Sequence, residues 1–316
     1  NGFKLNNRFF SNVSLLSQIG TFFAPITNWM LGASPTKILM EKAIGIDKRR
    51  NLPNFASQTL SHWFRSRNNV GSTSATKGKV VLFPDTTTNY NHPHLGIAAV
   101  KVLEKLGYEV IIPDSKCCGR PMLSNGMIDK AKENIKSNVE MIYPLVKDGA
   151  KLIGVEPSCV LGFMEDFGDL IDDPEKIDLI SQNTMLIEQF FLYDATKYGK
   201  IEFSNPPKSK KVMFHGHCHQ KSLVGTASAM EVLHMIPGLK LQEIDSGCCG
   251  MAGSFGYYTN HYDISMQIGE QNLFPSIRGE DTDTIIISEG VSCREQIEQG
   301  TGRKSKHLVE ILAEYL

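Results

Sequence analysis

An α/β fold of two duplicated β-α-β-α-β modules with parallel sheets, preceded by a short helical segment, is what this sequence predicts. Short β-branched runs alternate with apolar stripes of helical period, which implies parallel strands joined by helical crossovers. Glycines stop the stripes. The same pattern then occurs twice at one distance: Phe214 less Phe83, Gly238 less Gly107, Asp245 less Asp114 and Cys248 less Cys117 all equal 131. Four anchors in one register, without a gap, mark an internal duplication.

Residues 1–69 read as short helices carrying Phe9, Phe10, Phe22, Phe23, Trp29, Met30, Leu39, Trp63 and Phe64, broken at Pro25, Pro35 and Pro53. Nothing there carries evident chemistry. The basic residues Lys48, Arg49, Arg50, Arg65 and Arg67 read as the solvated flank of a packing helix, the alternative being a face for anionic lipid or an acidic partner. A polar stretch at 71–78 reads as a linker. The first module follows as a strand at 79–83, a helical stripe of Ile97, Val100, Leu103 and Leu106 ended by Gly107, a strand at 108–112, a helix at 127–147 and a strand at 151–155. The second repeats it with a strand at 212–214, a helix at 226–236, a strand at 239–244, a helix near 261–278 and a strand at 284–288. The expected units are 1–78, 79–207 and 208–316. An approximate twofold should relate the modules and bring their cysteine edges to a shared interface, with Leu308, Ile311, Leu312 and Tyr315 sealing the second sheet.

Composition excludes several functions. With 33 basic against 34 acidic residues among 316, the chain is no polyelectrolyte, so no nucleic-acid partner is expected. A 41% hydrophobic content fits an ordinary globular chain of about two domains. The longest apolar stretch, 19–33, is interrupted by Gly20, Thr21, Pro25, Thr27, Asn28 and Gly32, so no membrane-spanning helix is expected. The start lacks a methionine and the pattern of a signal peptide, so the chain is expected to be a piece of something longer. Seven cysteines, two pairs of them adjacent, cannot complete a disulfide framework, which favours a reducing, cytoplasmic compartment.

The cysteines carry the chemistry. In parallel sheets ligands gather at the carboxyl ends of strands, and every cysteine falls there. Cys218 follows the first strand of the second module, Cys248 and Cys249 the second, and Cys293 the third. Four thiolates on one edge suit an iron-sulfur cluster or zinc. Adjacent cysteines make a poor disulfide but can hand two thiolates to a polynuclear cluster, which favours iron-sulfur. Gly247, Gly250, Gly253 and Gly256 let the backbone approach it; their spacing is not that of a dinucleotide fingerprint. The first module keeps Cys117, Cys118 and Cys159 but has Thr86, Thr87 and Thr88 where Cys218 would fall, so its second site is degenerate. It has either lost its cluster or holds one with a non-cysteine ligand such as His92 or His94. His215 reads as loop structure, and His217 and His219 as supporting groups or alternative ligands. Glu156 and Glu289 precede the third-strand cysteines and read as salt-bridge formers or alternative ligands. The stretch 300–305 lacks the spacing of a phosphate loop.

The duplicated Cys…Cys-Cys-Gly…Cys pattern resembles the cysteine-rich CCG domain found in one subunit of heterodisulfide reductase, in the iron-sulfur subunit of glycolate oxidase and in one subunit of anaerobic glycerol-3-phosphate dehydrogenase. Phe83-Pro84-Asp85-Thr86, Cys117 through Pro121, Glu156 through Cys159, His215 through Lys221 and Asp245 through Gly256 look more closely like the carboxyl-terminal part of fused FAD-linked oxidases. The resemblance covers nearly the whole chain, the amino-terminal helices only loosely. It implies a 4Fe-4S centre within a larger oxidoreductase that oxidises a 2-hydroxy acid such as D-lactate or glycolate. FAD would sit on an upstream flavoprotein region, ferredoxin-like clusters would follow, and quinone or another acceptor would take the electrons. Peripheral association with the inner face of the membrane is a further expectation. No flavin segment is recognisable here, so the chain alone should be inactive. Thiol-disulfide chemistry, or a zinc-bound or metal-free docking scaffold, are the competing functions. In heterodisulfide reductase each module ends in Cys-x-x-Cys; here the earlier position is Glu156 or Gly290.

Overall fold

The computed structural model describes residues 4–67 and 76–316; residues 71–75 of the expected linker lie outside them. Two wholly parallel sheets form the frame. The first joins β1 (Lys79–Leu82), β2 (Glu109–Ile111), β3 (Lys151–Gly154) and β4 (Thr184–Leu186) in the order β2-β1-β3-β4. The second joins β5 (Lys210–His215), β6 (Leu239–Glu243) and β7 (Ile285–Ser288) in the order β6-β5-β7. The fold class is therefore the expected one, with an addition: β4 was not anticipated. It has a counterpart in the second half, where Lys306 makes a single parallel bridge to Ile287. Each of these late segments leads into a helix whose capping N–H is taken by the side chain three residues on, Gln189 for Leu186 and Glu310 for His307. The duplication therefore runs on into the following helices.

Strand alternation explains the layering. Side chains two apart share a face, so Val80 and Leu82 of β1 and Val212 and Phe214 of β5 point into one common core. Val81 and Phe83 point the opposite way, into a core covered by the helices Ile128–Lys147 and Pro174–Gln182. Met213 points into a third, beneath Leu273–Arg278 and Val291–Thr301. The common core holds the first and last helices of both modules. Pro93–Lys105 packs on Leu308–Tyr315, and Ile187–Tyr198 packs on Ala227–Met235. This exchange is the approximate twofold. Leu308, Ile311, Leu312 and Tyr315 thus seal the junction between the modules, where the second sheet alone had been expected.

The amino-terminal segment is four consecutive helices (Leu5–Ser11, Val13–Phe22, Ala24–Gly32, Ser34–Ile44) and a fifth, Leu60–Ser66. Pro25 and Pro35 begin helices, where a missing N–H costs nothing. Of its basic residues Lys48, Arg49 and Arg65 are exposed, as the solvated-flank reading expects, and Arg67 is half-buried, but Arg50 departs from it. Arg50 is buried, donating to Gly256 O (2.7 Å), Gln296 Oε1 (2.6 Å), Gln299 Oε1 (2.9 Å) and Ser265 Oγ (2.8 Å) of the second module. Arg49 pairs with Asp47 and Asp263, and Arg67 with Glu104. Among the described residues no helix is long and apolar enough to cross a membrane.

Candidate metal centre

The second module sets out its thiols along three strand ends. Beyond β5, His217 caps the helix Cys218–Leu223: its Nδ1 accepts the His219 N–H (3.2 Å) and its own N–H donates to Gln220 Oε1 (3.2 Å). Cys218 therefore opens that helix. Beyond β6, Cys248 and Cys249 run into Gly250, whose φ of +97° only glycine adopts readily and whose N–H donates to Cys248 Sγ at 3.3 Å. Beyond β7, Cys293 lies buried in the first turn of Val291–Thr301. The four thiols follow one another as a ladder, Cys218 beside Cys248, Cys248 beside Cys249 and Cys249 beside Cys293. Their acidities alternate. Hydrogen bonds from Cys218 and Cys249, and the N–H groups of Gly250 and Ala252, hold Cys248 well below the usual thiol range. Cys293 is lowered by Cys249 and by His215, while Cys218 and Cys249, the donors, are raised by those same bonds and by burial.

The first module repeats the skeleton with three thiols. Gly119, at φ +92°, stands where Gly250 does. Cys117 bonds Cys118, and Cys118 Sγ lies 3.1 Å from Cys159 Sγ. Thr86 opens the helix Thr86–Tyr90 as Cys218 opens Cys218–Leu223, so of the three threonines Thr86 takes the missing thiol's place. Asp85 caps the helix Thr86–Tyr90, as His217 caps its counterpart. The Cys118 hydrogen bond lowers Cys159, but burial and the Asp85 and Glu156 carboxylates outweigh it and push the thiol up to about 11.

Both ladders meet. One cavity of about 410 Å³ is lined by Cys117, Cys118 and Cys159 from one module and Cys218, Cys248 and Cys249 from the other, with Cys293 behind Cys249. Its remaining wall is apolar and comes from the amino-terminal segment: Phe9, Phe10, Val13, Leu16, Leu52 and Phe55.

The other expected residues fall into distinct places. His217 lines the cavity, and its ring is packed so tightly on Gly290 that a Cβ there would lie 2.2 Å from Cδ2. His219 also lines it, with Nε2 3.1 Å from Glu165. Among the described residues, the trio of ligand atoms lying within 4.8 Å of one another is His219, Glu165 and Asp166; no three thiols draw that close, and Asp166 is engaged by Arg120. Glu156 lines the cavity and crosses the junction, accepting the Val291 N–H at 2.8 Å; burial raises its pKa. Glu289 lies away from the cavity lining, buried against Glu188, with Gln220 Nε2 donating to both carboxylates. Burial pushes Glu188 up to about 7, and burial with the Glu188 charge raises Glu289 well above the usual carboxyl range. His215 bonds Ser246 Oγ through Nδ1 at 2.8 Å and stands against Cys293. His92 and His94 line no part of the cavity; they face Glu295 (3.7 Å) and Glu310 (3.9 Å). Glu188, Gln220, Asp85 and Arg50 were not anticipated as parts of the site. The repeat would have pointed to Asp85, since it aligns with the segment just before Cys218.

A family model described as CCG, cysteine-rich domain, matches residues 81–164 and again 212–298. The chain is 33% identical to a subunit of the anaerobic glycerol-3-phosphate dehydrogenase of Escherichia coli (strain K12), over 99% of this chain and 77% of that protein. D-2-hydroxyglutarate dehydrogenase of the same organism is 23% identical over 93% of this chain, which corresponds to 29% of its own length. Lactate utilization protein A of Bacillus licheniformis is 27% identical over 74% of this chain and 98% of its own length.

Proposed function

The chain belongs to the cysteine-rich CCG domain family, and on that premise we propose that it is the iron-sulfur electron-transfer region of a flavin-dependent dehydrogenase. Electrons would come from a flavoprotein partner, through ferredoxin-like clusters in the same polypeptide or another subunit, and leave to quinone or a similar acceptor. The substrate would be a small hydroxylated acid. D-lactate and glycolate fit the repeat motifs, and glycerol 3-phosphate fits the relative of higher identity.

The observation that carries this reading is the convergence of six thiols on one cavity. Thiolates in that number suit a cluster, and the principal one would rest on Cys218, Cys248, Cys249 and Cys293, with 4Fe-4S the type four thiolates suit. A single tetrahedral zinc fits less well: ligands at about 2.3 Å would hold sulfurs within about 4 Å of one another, closer than any three thiols here. When bound, such a cluster supplies one-electron storage. The chain's own groups are arranged to support that storage. N–H donors at Gly250 and Ala252 stabilise charge on Cys248.

The apolar wall of the cavity supports access by a quinone ring. Phe22 is 80% and Trp29 75% exposed, with Ile26 and Leu39 also open, and this apolar face supports peripheral membrane contact. We assign 1–78 to that wall and face, 79–207 to the first module and 208–316 to the second. The test is iron, acid-labile sulfide and an electronic spectrum on anaerobically purified protein, with stopped-flow reduction alongside the flavoprotein. Replacing Cys218, Cys248, Cys249 and Cys293 should leave flavin bleaching by substrate intact and stop acceptor reduction. Protein without sulfide, or normal acceptor reduction by the variant, overturns the assignment.

A further inference from the structure

A second cavity, of about 420 Å³, lies beside the one lined by the six thiols, between the amino-terminal segment and the carboxyl ends of β1 and β2. Thr86 and Cys117 line both and so form the partition. The two cavities differ in kind. Phenylalanines wall the cysteine cavity, whereas the aliphatic side chains here are Leu15, Pro84 and Met122 and most of the remaining lining is polar. Two hydroxyls in this wall are unanswered. Ser11 is wholly buried and its Oγ has no partner; Ser115 Oγ, on the loop after β2, is buried and unpaired as well. A buried hydroxyl without a hydrogen bond is costly, so two of them in the wall of one cavity mark it as a place for a polar occupant. Charge is unanswered too. Among the described residues neither Lys116 nor Lys130 is paired with an acid: Lys130 Nζ donates to Asn12 Oδ1, and Lys116 is held through its backbone, its N–H donating to Asn138 Oδ1 at 2.8 Å and its carbonyl accepting Asn138 Nδ2 at 3.1 Å. Against these two cations the lining holds one carboxylate, Asp114.

We propose that this cavity binds a small hydroxylated organic anion, a carboxylate or a phosphate ester, with Lys116 and Lys130 answering its charge and Ser11, Ser115 and Asn89 its hydroxyls. Charge selects an anion, because two lysines against one carboxylate leave the wall net positive. Size selects an organic one. A volume of about 420 Å³ lies within the roughly 300–1,000 Å³ of small-molecule sites, and a bare inorganic ion would leave the two serines unmet. Asn89 adds a donor, since its Oδ1 already accepts the Ser61 N–H at 2.9 Å and its amide nitrogen is what remains to offer. The position is the one where parallel sheets collect ligands, outside the carboxyl ends of the strands. Ser11 belongs to Leu5–Ser11, and Ser14 and Gln18 to Val13–Phe22, while Ser115 and Lys116 belong to the first module, so the occupant ties the amino-terminal segment to that module. Through Thr86 and Cys117 it also rests against the back of the first thiol ladder.

The inference stands apart from the proposed function, since it invokes neither a cluster nor an electron acceptor. Its test is isothermal titration calorimetry on the full chain, purified anaerobically, with glycolate, glycerol 3-phosphate, inorganic phosphate and neutral glycerol as probes. One of the two organic anions should bind saturably at one site per chain, about tenfold or more tightly than inorganic phosphate or glycerol, and which of them does so separates the carboxylate from the phosphate ester. Lys116→Met should weaken that binding about tenfold or more, and adding Lys130→Met should abolish it. Lys42→Met, at an exposed position of Ser34–Ile44, should leave it unchanged. Because Lys130 also holds Asn12, Lys116→Met and Ser115→Ala carry the test if the double variant loosens the segment, and circular dichroism reports the folding of each. Bound anion should also slow limited proteolysis within residues 4–67, which the occupant ties down. The absence of saturable binding up to about 10 mM, an equal affinity for phosphate or glycerol, binding unaltered in both Lys116→Met and Ser115→Ala, or cleavage unaffected by bound anion would each overturn the proposal.

Discussion

The ring of His217 occupies the space that a side chain at position 290 would need, for a Cβ on Gly290 would lie 2.2 Å from His217 Cδ2. This explains why the second module does not end in Cys-x-x-Cys. A thiol at 290 and the imidazole that caps the Cys218 helix exclude each other, so a five-thiolate arrangement is replaced by four thiols and a packed histidine. Gly290→Ala should destabilise the protein by about 1–3 kcal/mol through overpacking. Part of that loss should return when His217→Ala is added, and a double-mutant cycle on denaturant midpoints reads the coupling. Additive losses would show that the contact is not the cause.

Cys248 lies inside its ladder, between Cys218 and Cys249. Cys248→Ser should therefore remove more iron than Cys117→Ser, since four thiolates hold a cluster more completely than three. Equal iron in both variants and the wild type would contradict a principal site in the second module.

His307 joins the modules from a fully buried position, donating through Nε2 to Val155 O at 2.8 Å and accepting the Val309 N–H at Nδ1 (3.0 Å). Both nitrogens are satisfied only when the ring is neutral, and burial holds its pKa at about 3. The unfolded chain takes up this proton near pH 6.5. The contribution is therefore complete above that pH and is lost as pH falls toward 3, by about 2 kcal/mol between pH 7 and pH 5. His307→Gln, which keeps a donor and an acceptor, should flatten this part of the profile. Denaturation at the two pH values with an unchanged slope in the variant would assign the dependence elsewhere.

Arg50 is the polar anchor of the amino-terminal segment, a buried cation held by neutral oxygens and the face of Tyr262. Arg50→Ala should cost about 3 kcal/mol, leaving those acceptors unpaired. It should also make residues before 60 sensitive to limited proteolysis while the two modules stay resistant. Arg49→Ala, which leaves the buried Asp47 carboxylate without its two guanidinium donors, should cost about 1–3 kcal/mol.

Whatever repeats in the sequence was legible. The offset of 131 exposed the two modules because Gly107 and Gly238, like the cysteine pairs, are residue types that few others can replace, but Phe83 and Phe214 face opposite sides of their sheets, so the first strands match one residue further along, Val80 with Val212. β4 was not legible: Thr184, Met185 and Leu186 are too few to show alternation, and their pairing with β3 is a long-range choice. Arg50 was misread for a related reason. A run of Lys48, Arg49 and Arg50 looks solvated, and only tertiary packing separates the residue that is buried from its neighbours. The apolar wall over the cysteines was hidden too, since Phe9, Phe10 and Phe55 follow no motif and acquire meaning only from what they cover.

The reciprocal packing of Pro93–Lys105 on Leu308–Tyr315 and of Ala227–Met235 on Ile187–Tyr198 is the contact that two copies of a single module would make as a homodimer. In such an ancestor every substitution would strike both sites at once, so losing the thiol now replaced by Thr86 would have removed it from each. Joining the copies in one polypeptide broke that constraint. One half could keep its four thiols while the other gave one up to Thr86, which makes the covalent link between the modules the origin of their chemical asymmetry.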